Sequence, residues 1–411
     1  MTMRPFTHTI SMSEARAIIA DGMPRIERRD RVPLLQASGR VLASDVVAAA
    51  DVPPFNRASM DGYAVIAADT SDATREVPRP LHLAGRVYTG EVPTTAVEPG
   101  TCIEVATGAP RPAGADAVIM VEETAVAGET VTMFAGVRPG QNIGRQGADI
   151  ATGQTVLREG VVLNASRIGA LAALGHAEVE VWARPSVAVL STGNEIAPQG
   201  APLPPGQIYD INRFTISTVV AEHGGVPVPV STARDTLEAL HAALDACLRH
   251  DLIVFSGGSS VGERDLILDV IRARGEVRFH GIAVKPGKPT LFGHVEGTPV
   301  FGMPGYPTSC LSNAYILLVP ALRRMARLPL TAPRTLLLPL AARVASVAGR
   351  HQFYSVRVEH GQAVPAFKAS GDITSMSQAD GYIAIAADVT EGAAGTEVRV
   401  TLFCGLGVLG S

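Results

Sequence analysis

Five short polar loops contain the side chains whose types and spacing could do chemistry: STGNE (191–195), ARD (233–235), SGGSSVGERD (256–265), KPGKP (285–289) and MPGYP (303–307). KPGKP presents two ammonium groups, Lys285 and Lys288, between prolines that restrict the backbone. Such a pair suits an oxyanion, and in isolation it is equally the composition of a solvated surface turn. SGGSSVGERD places glycines and hydroxyls where an apolar run stops, so backbone N–H groups can approach an anion or a flat ring. It has neither the GKS/T of a phosphate-binding P-loop nor a GxGxxG fingerprint, and alone it also reads as an ordinary strand-to-helix turn. Glu263 and Asp265 close behind it are hard oxygen donors of the kind that hold Mg²⁺ near phosphates. The ten histidines show no HxxxH or HExxH spacing and the four cysteines no CxxC, so zinc and dithiol chemistry are not indicated.

These loops need elements to position them, and the region from 186 to 328 supplies a candidate frame. The apolar run 186–190 leads into STGNE; a helix over 212–223 stops at Gly224-Gly225; 226–230 reads as the next strand. Asp235 or Thr236 can cap a helix with Leu237, Leu240, Leu244, Cys247 and Leu248 on one face. The buried strand 252–255 opens into SGGSS, and a third helix holds Ile267, Val270 and Ile271. Strands around 281–284 and 299–302 end in KPGKP and MPGYP, ahead of a helix over 308–327. This alternation predicts a parallel α/β sheet, in which ligands bind in the crevice beyond the carboxyl ends of the strands. Nearly every unusual polar loop falls at such an end.

Outside that frame, residues 11–23 form an amphipathic helix pattern with Ser11 and Glu14 as a capping box. Pieces at 81–88, 101–107, 117–122 and 130–137 alternate with Pro and Gly turns, which predicts a small β module; 335–340, 354–358, 382–386 and 397–402 predict a small barrel. The chain's 411 residues suggest two to four domains. A balance of 35 basic and 39 acidic side chains lacks the basic footprint of a nucleic-acid binder. Residues 1–10 hold no apolar signal core, and the longest apolar stretch, 314–322, is about half a membrane span and contains Pro320. The expectation is a cytoplasmic protein with neither membrane nor nucleic acid as partner.

SMDGYA (59–64), TGAP (107–110), QNIGRQGAD (141–149), STGNE, QIYDIN (207–212), GGSSVGERD, KPGKP and MPGYP, in this order, closely resemble the molybdopterin molybdenumtransferase family, called MoeA in bacteria and matching the gephyrin E domain. The resemblance implies an α/β plus β multidomain homodimer. Its parts would be a discontinuous N-terminal helical and β dimerisation segment (1–55 and 148–183), an inserted β domain (56–147), a Rossmann-like molybdopterin-binding α/β domain (184–328) and a C-terminal β barrel (329–411). It implies Mg²⁺-dependent insertion of molybdate into adenylylated molybdopterin with release of AMP, and as partners a molybdopterin-adenylylating enzyme and apo-molybdoenzymes.

By the same resemblance, Ser256, Gly257, Gly258, Ser259, Ser260 and Gly262 would cradle pterin and phosphate, while Lys285, Lys288, Pro304, Pro307 and Ser370 would line the molybdate pocket. Glu195, Asp235 and Asp265 become the candidates for Mg²⁺ and for the adenylate, and Asp61, Thr107 and Asp149 would reach the cleft from the partner subunit. Four features depart from the family pattern: Tyr306 for Asn, Asn194 for Asp, Ala148 for Glu, and Arg350-His351-Gln352-Phe353-Tyr354-Ser355 with its next arginine only at Arg357. They leave open neutral drift, a divergent paralogue handling another oxyanion such as tungstate, and a non-catalytic gephyrin-like scaffold.

Overall fold

A computed structural model describes residues 9–257, 266–330 and 334–403. The chain forms two compact units, one of Met1–Asp30, Gly39–Val41 and Trp182–Ser411, the other of Arg31–Ser38 and Leu42–Val181. Among the described residues no helix is long and apolar enough to cross a membrane.

The first unit is built on six strands, β1 (Ser186–Ser191), β2 (Val226–Pro229), β3 (Leu252–Ser256), β4 (Gly275–His280), β5 (Leu291–Val295) and β6 (Thr298–Met303), in the order β2-β1-β3-β6-β5-β4. β2, β1, β3 and β6 run parallel; β5 and β4 add antiparallel at one edge. Alternation along the strands serves two cores. Val187, Val189, Leu252 and Val254 face one cluster with Met12 and Ile19 of α1 (Met12–Gly22) and Ile216, Val219 and Val220 of α2 (Asn212–Glu222). Ala188, Leu190, Ile253 and Phe255 face the other, with Leu240 and Leu244 of α3 (Leu237–Cys247) and Ile267 and Ile271 of α4 (Leu266–Arg274). Each fully buried leucine or isoleucine contributes roughly 1.5–3 kcal/mol of transfer free energy, which is why the period-2 and period-3.6 patterns dictate this layering. Ser11 caps α1 by accepting the Glu14 amide at 3.1 Å, and Thr236, rather than Asp235, caps α3 through the Ala239 amide at 3.2 Å.

Two expectations are corrected here. The strand placed around 281–284 is absent from this sheet: Gly281 has φ +100°, which ends β4, and only Val284–Lys285 is extended, pairing in parallel with His351–Gln352. The antiparallel pair β4 and β5 takes its place. The helix over 308–327 is interrupted: α5 (Pro307–Asn313) passes into a π turn at Ala314–Leu318 before helix resumes at Val319–Met325. Pro320 has no N–H to donate, and the wide turn just before it relieves the missing i→i−4 bond.

The barrel expected near the C-terminus is present, made of His351–Glu359, Gln362–Pro365, Gly381–Ile385, Glu397–Leu402 and Thr335–Pro339. A bridge between Leu340 and Ala363, with the Ala341 amide donating to the Ala363 carbonyl at 2.9 Å, closes the sheet on itself. In the same unit two guanidinium groups stand over the indole of Trp182, Arg29 at 4.9 Å and Arg327 at 3.9 Å from the ring centre.

The second unit centres on a six-stranded sheet ordered Ala117–Met120, Gly62–Val65, Thr101–Val105, Arg79–Val87, Thr130–Met133, Thr124–Ala127. The strands expected at 81–88, 101–107, 117–122 and 130–137 are there, ending earlier than expected at Val87, Val105, Met120 and Met133. Apolar clusters cover both faces, one with Tyr63, Leu81 and Ile119, the other with Ala64, Ile103 and Val118. A third cluster joins Leu42, Leu163, Leu171 and Val181 around the helix Ala165–Ala173.

Candidate functional site

The strand register of the first unit puts its polar loops on one edge. Ser191 pairs with Ser256, and Ser256 with Met303, so three parallel strands end in one row. His280 and Leu291 pair with each other, and Leu291 with Gly302, so the hairpin loop carrying KPGKP emerges on the same side. Past β2, Ala233 bridges Thr192, bringing ARD beside STGNE. The structure therefore gathers Glu195, Asp235, Ser256, Gly257, Lys285, Lys288, Pro304 and Pro307 at one sheet edge. Ser370 joins them because its carbonyl accepts the Thr308 amide at 3.1 Å, while the Thr308 hydroxyl donates to the Asp372 carbonyl at 2.9 Å. Gly258, Ser259, Ser260, Gly262 and Asp265 lie outside the described residues.

Gly257 is the seam of this edge. Its φ of +94° suits glycine, a Cβ there would stand 2.3 Å from the Thr192 carbonyl oxygen, and its Cα lies 3.5 Å from where a Cβ on Gly305 would sit. Backbone of three loops thus meets without side chains between.

The lysine loop is fixed by its own main chain. Asn313, fully buried on α5, donates through Nδ2 to the Gly287 carbonyl at 2.9 Å and to Thr290 Oγ1 at 2.6 Å. The Lys288 carbonyl accepts the Ile282 amide at 3.0 Å and the Thr290 amide at 2.9 Å. Lys285 and Lys288 are both half-buried residues on this fixed backbone.

The two described carboxylates crowd each other. Glu195 folds back over Gly193, where a Cβ would come within 2.7 Å of its oxygens. Asp235 donates its amide to Asn194 Oδ1 at 3.3 Å, and its own Oδ1 is buried with no hydrogen-bond partner among the described residues. Burial, and then the charge of Glu195, push the Asp235 carboxyl above its usual range, partly offset by the Asn194 amide and Thr192 hydroxyl. Opposed hard oxygen donors with an open lone pair are what a divalent cation relieves. Among the described residues no group of three or more His, Cys, Asp or Glu stands ready for a metal.

Beneath the edge lies a network centred on Asp210, a residue the sequence shows only inside the motif QIYDIN. Asp210 is 2% exposed; its Oδ1 accepts the Ser191 hydroxyl at 2.9 Å and the Arg213 amide at 3.0 Å. Ser191 and Ser256 hydroxyls are 3.1 Å apart, and Asn212 Nδ2 donates to the Gly305 carbonyl at 2.8 Å. The available signal was an aspartate set between isoleucine and tyrosine on one side and a helix start on the other.

In the second unit Asp61 and Thr107 are brought together, the Thr107 amide donating to Asp61 Oδ1 at 2.7 Å. The 141–149 loop joins them through Ser59 N–H to the Asn142 carbonyl at 2.9 Å and the pairing of Ile143 with Ala58. Asp149 is exposed and held separately, its amide donating to the Val52 carbonyl at 3.0 Å.

Three family models match the chain in sequence: MoeA N-terminal region (domain I and II) at 10–175, probable molybdopterin binding domain at 188–324, and MoeA C-terminal region (domain IV) at 338–403. The chain is 37% identical over 401 residues to molybdopterin molybdenumtransferase 2 of Mycobacterium tuberculosis strain H37Rv, covering 95% of this chain and 98% of that protein. The chain belongs to the MoeA family. A second MoeA relative, the molybdopterin molybdenumtransferase of Haemophilus influenzae, is 35% identical over 318 residues, 77% of this chain and 78% of that one. The crystal structure of a molybdopterin biosynthesis MoeA protein from Pyrococcus horikoshii superposes with a TM-score of 0.85 at 39% identity, covering 97% of this chain and all of that chain. The MoeA fold, α/β plus β in several domains, is the one the motifs implied.

Proposed function

We propose that this chain is a transferase of molybdenum cofactor biosynthesis, a molybdopterin molybdenumtransferase that inserts molybdate into adenylylated molybdopterin in an Mg²⁺-dependent reaction releasing AMP. The observation that supports it best is the meeting, at one sheet edge, of a glycine turn, two fixed lysines and two crowded carboxylates. In this reading the Gly257 turn receives the pterin phosphate on backbone N–H groups, and Lys285 and Lys288 hold the oxyanion by charge-assisted hydrogen bonds. Glu195 and Asp235, joined by Asp265, hold the cation. When bound, Mg²⁺ would neutralise charge on the phosphoanhydride. Pro304, Pro307 and Ser370 wall the pocket. The protein works as a cytoplasmic homodimer in which Asp61, Thr107 and Asp149 serve the partner's cleft, between a molybdopterin-adenylylating enzyme and apo-molybdoenzymes.

The test is cofactor formation from purified protein, adenylylated molybdopterin, Mg²⁺ and micromolar molybdate, read as AMP release and activation of an apo-molybdoenzyme. Both signals are expected, and both should fall at least tenfold in Lys288→Ala. Absence of both with the wild-type chain would overturn the reading. One observation favours a variant of it: Tyr306, 67% exposed, lies with its ring 3.7 Å from a Cβ position on Gly371, beside Ser370. If this ring narrows the oxyanion pocket, AMP release without active cofactor on molybdate, restored in Tyr306→Asn, is the expected signature.

A further inference from the structure

We infer that Asp210 is the positioning residue of this site, the buried anchor that makes the three strand-end loops move as one body. The inference rests on the molybdopterin reading of that edge and adds a residue to it. A carboxylate accepts hydrogen bonds and donates none. Ser191 has a single hydroxyl proton, and it goes to Asp210 Oδ1 at 2.9 Å. The contact between the two serines, 3.1 Å, is therefore donated by Ser256. The direction of the chain is thus fixed from Ser256 to Ser191 to Asp210, and the ends of β3 and β1 are tied by side chains as well as by their backbone pairing.

The same turn reaches the third loop. Asp210 accepts the Arg213 amide at 3.0 Å, which starts α2, and its carbonyl accepts Gln199 Nε2 at 2.7 Å. Two residues on, Asn212 Nδ2 holds the Gly305 carbonyl at 2.8 Å, and Gly305 abuts Gly257. The Arg213 guanidinium, Nε 3.5 Å from Asp210 Oδ2, compensates the buried charge at ion-pair distance. All of these groups sit under the loops, with Ser191, Asp210 and Ser256 each at most 2% exposed, so their effect on a ligand is indirect. A seam with no side-chain filling at Gly257 and Gly305 has nothing of its own to keep its width; the network below supplies that rigidity.

The test uses the full-length protein, molybdopterin as the probe, and AMP release from adenylylated molybdopterin. Asp210→Asn keeps size but removes the buried charge and turns an amide N–H towards the Arg213 guanidinium, donor against donor. It is expected to raise the molybdopterin Kd and the KM for the adenylylated substrate about 10- to 100-fold, with kcat changed less than threefold. Ser191→Ala, milder for the fold, should raise both several-fold. The double variant should be no worse than Asp210→Asn alone, because both act through one chain. All are measured well below each variant's Tm, and Leu244→Ala, in the far core, is the comparison for plain destabilisation. Wild-type affinity in Asp210→Asn, or fully additive effects in the double variant, would overturn the inference while leaving the proposed function standing. Failure of the wild-type chain to bind molybdopterin at all would instead overturn the reading on which it rests.

Discussion

A methyl group at position 257 would press on the Thr192 carbonyl and force an L residue into φ +94°. Gly257→Ala is therefore expected to cost about 1–3 kcal/mol in a urea titration and to weaken molybdopterin binding more than tenfold. Unchanged binding would show that the turn lies away from the ligand. A second residue-scale prediction concerns acid. Burial pushes the Asp251 carboxyl up, but the Arg28 fork at 2.7 and 2.8 Å and the Ser186 amide and hydroxyl outweigh it, leaving the group below the usual 3.8. A depressed carboxyl stabilises the fold above the unfolded value, and that contribution disappears as pH falls through the folded value. Arg28 is 60% exposed, so screening keeps the effect small: Asp251→Asn should cost about 1–2 kcal/mol near neutrality. The gap to wild type should close below about pH 4; a gap constant from pH 7 to 3 would contradict it.

At the scale of elements, α5 serves the lysine loop through one side chain. Asn313→Ala removes both Nδ2 bonds and leaves the Gly287 carbonyl and Thr290 hydroxyl only the 2.9 Å bond between themselves, which should cost about 1–3 kcal/mol. Because Lys285 and Lys288 lose their fixed frame, the KM for molybdate should rise at least tenfold. Leu244→Ala, destabilising by about 2–5 kcal/mol, should leave that KM unmoved, and equal KM values in the two variants would argue against the loop's dependence on Asn313.

The same scale shows what the sequence revealed. β1, β3 and α3 were legible because buried strands and amphipathic helices write their periods openly. β4 and β5 were not, since an antiparallel edge hairpin imitates the apolar run of a parallel strand, and Gly281 carries its break in backbone geometry alone. The lysines, carboxylates and glycine turn announced themselves by type and spacing. Asp210 did not, because a buried carboxylate differs from a surface one only through the partners that fold around it.

For the molecule as a whole, two units with separate cores imply two cooperative transitions. Phe301→Ala, in the core of the first unit, should lower that unit's calorimetric transition by an amount matching about 3–5 kcal/mol and leave the other in place. A single endotherm displaced as one would show that the units unfold together. The chain also carries one indole, Trp182, 8% exposed, at the point where it re-enters the first unit. Light absorbed at the red edge of the protein spectrum therefore excites a single chromophore, in contact with the Arg29 and Arg327 guanidinium groups. Its emission is an unlabelled gauge of those two cation–π contacts within the first unit, and a shift towards longer wavelength on denaturation would report their loss.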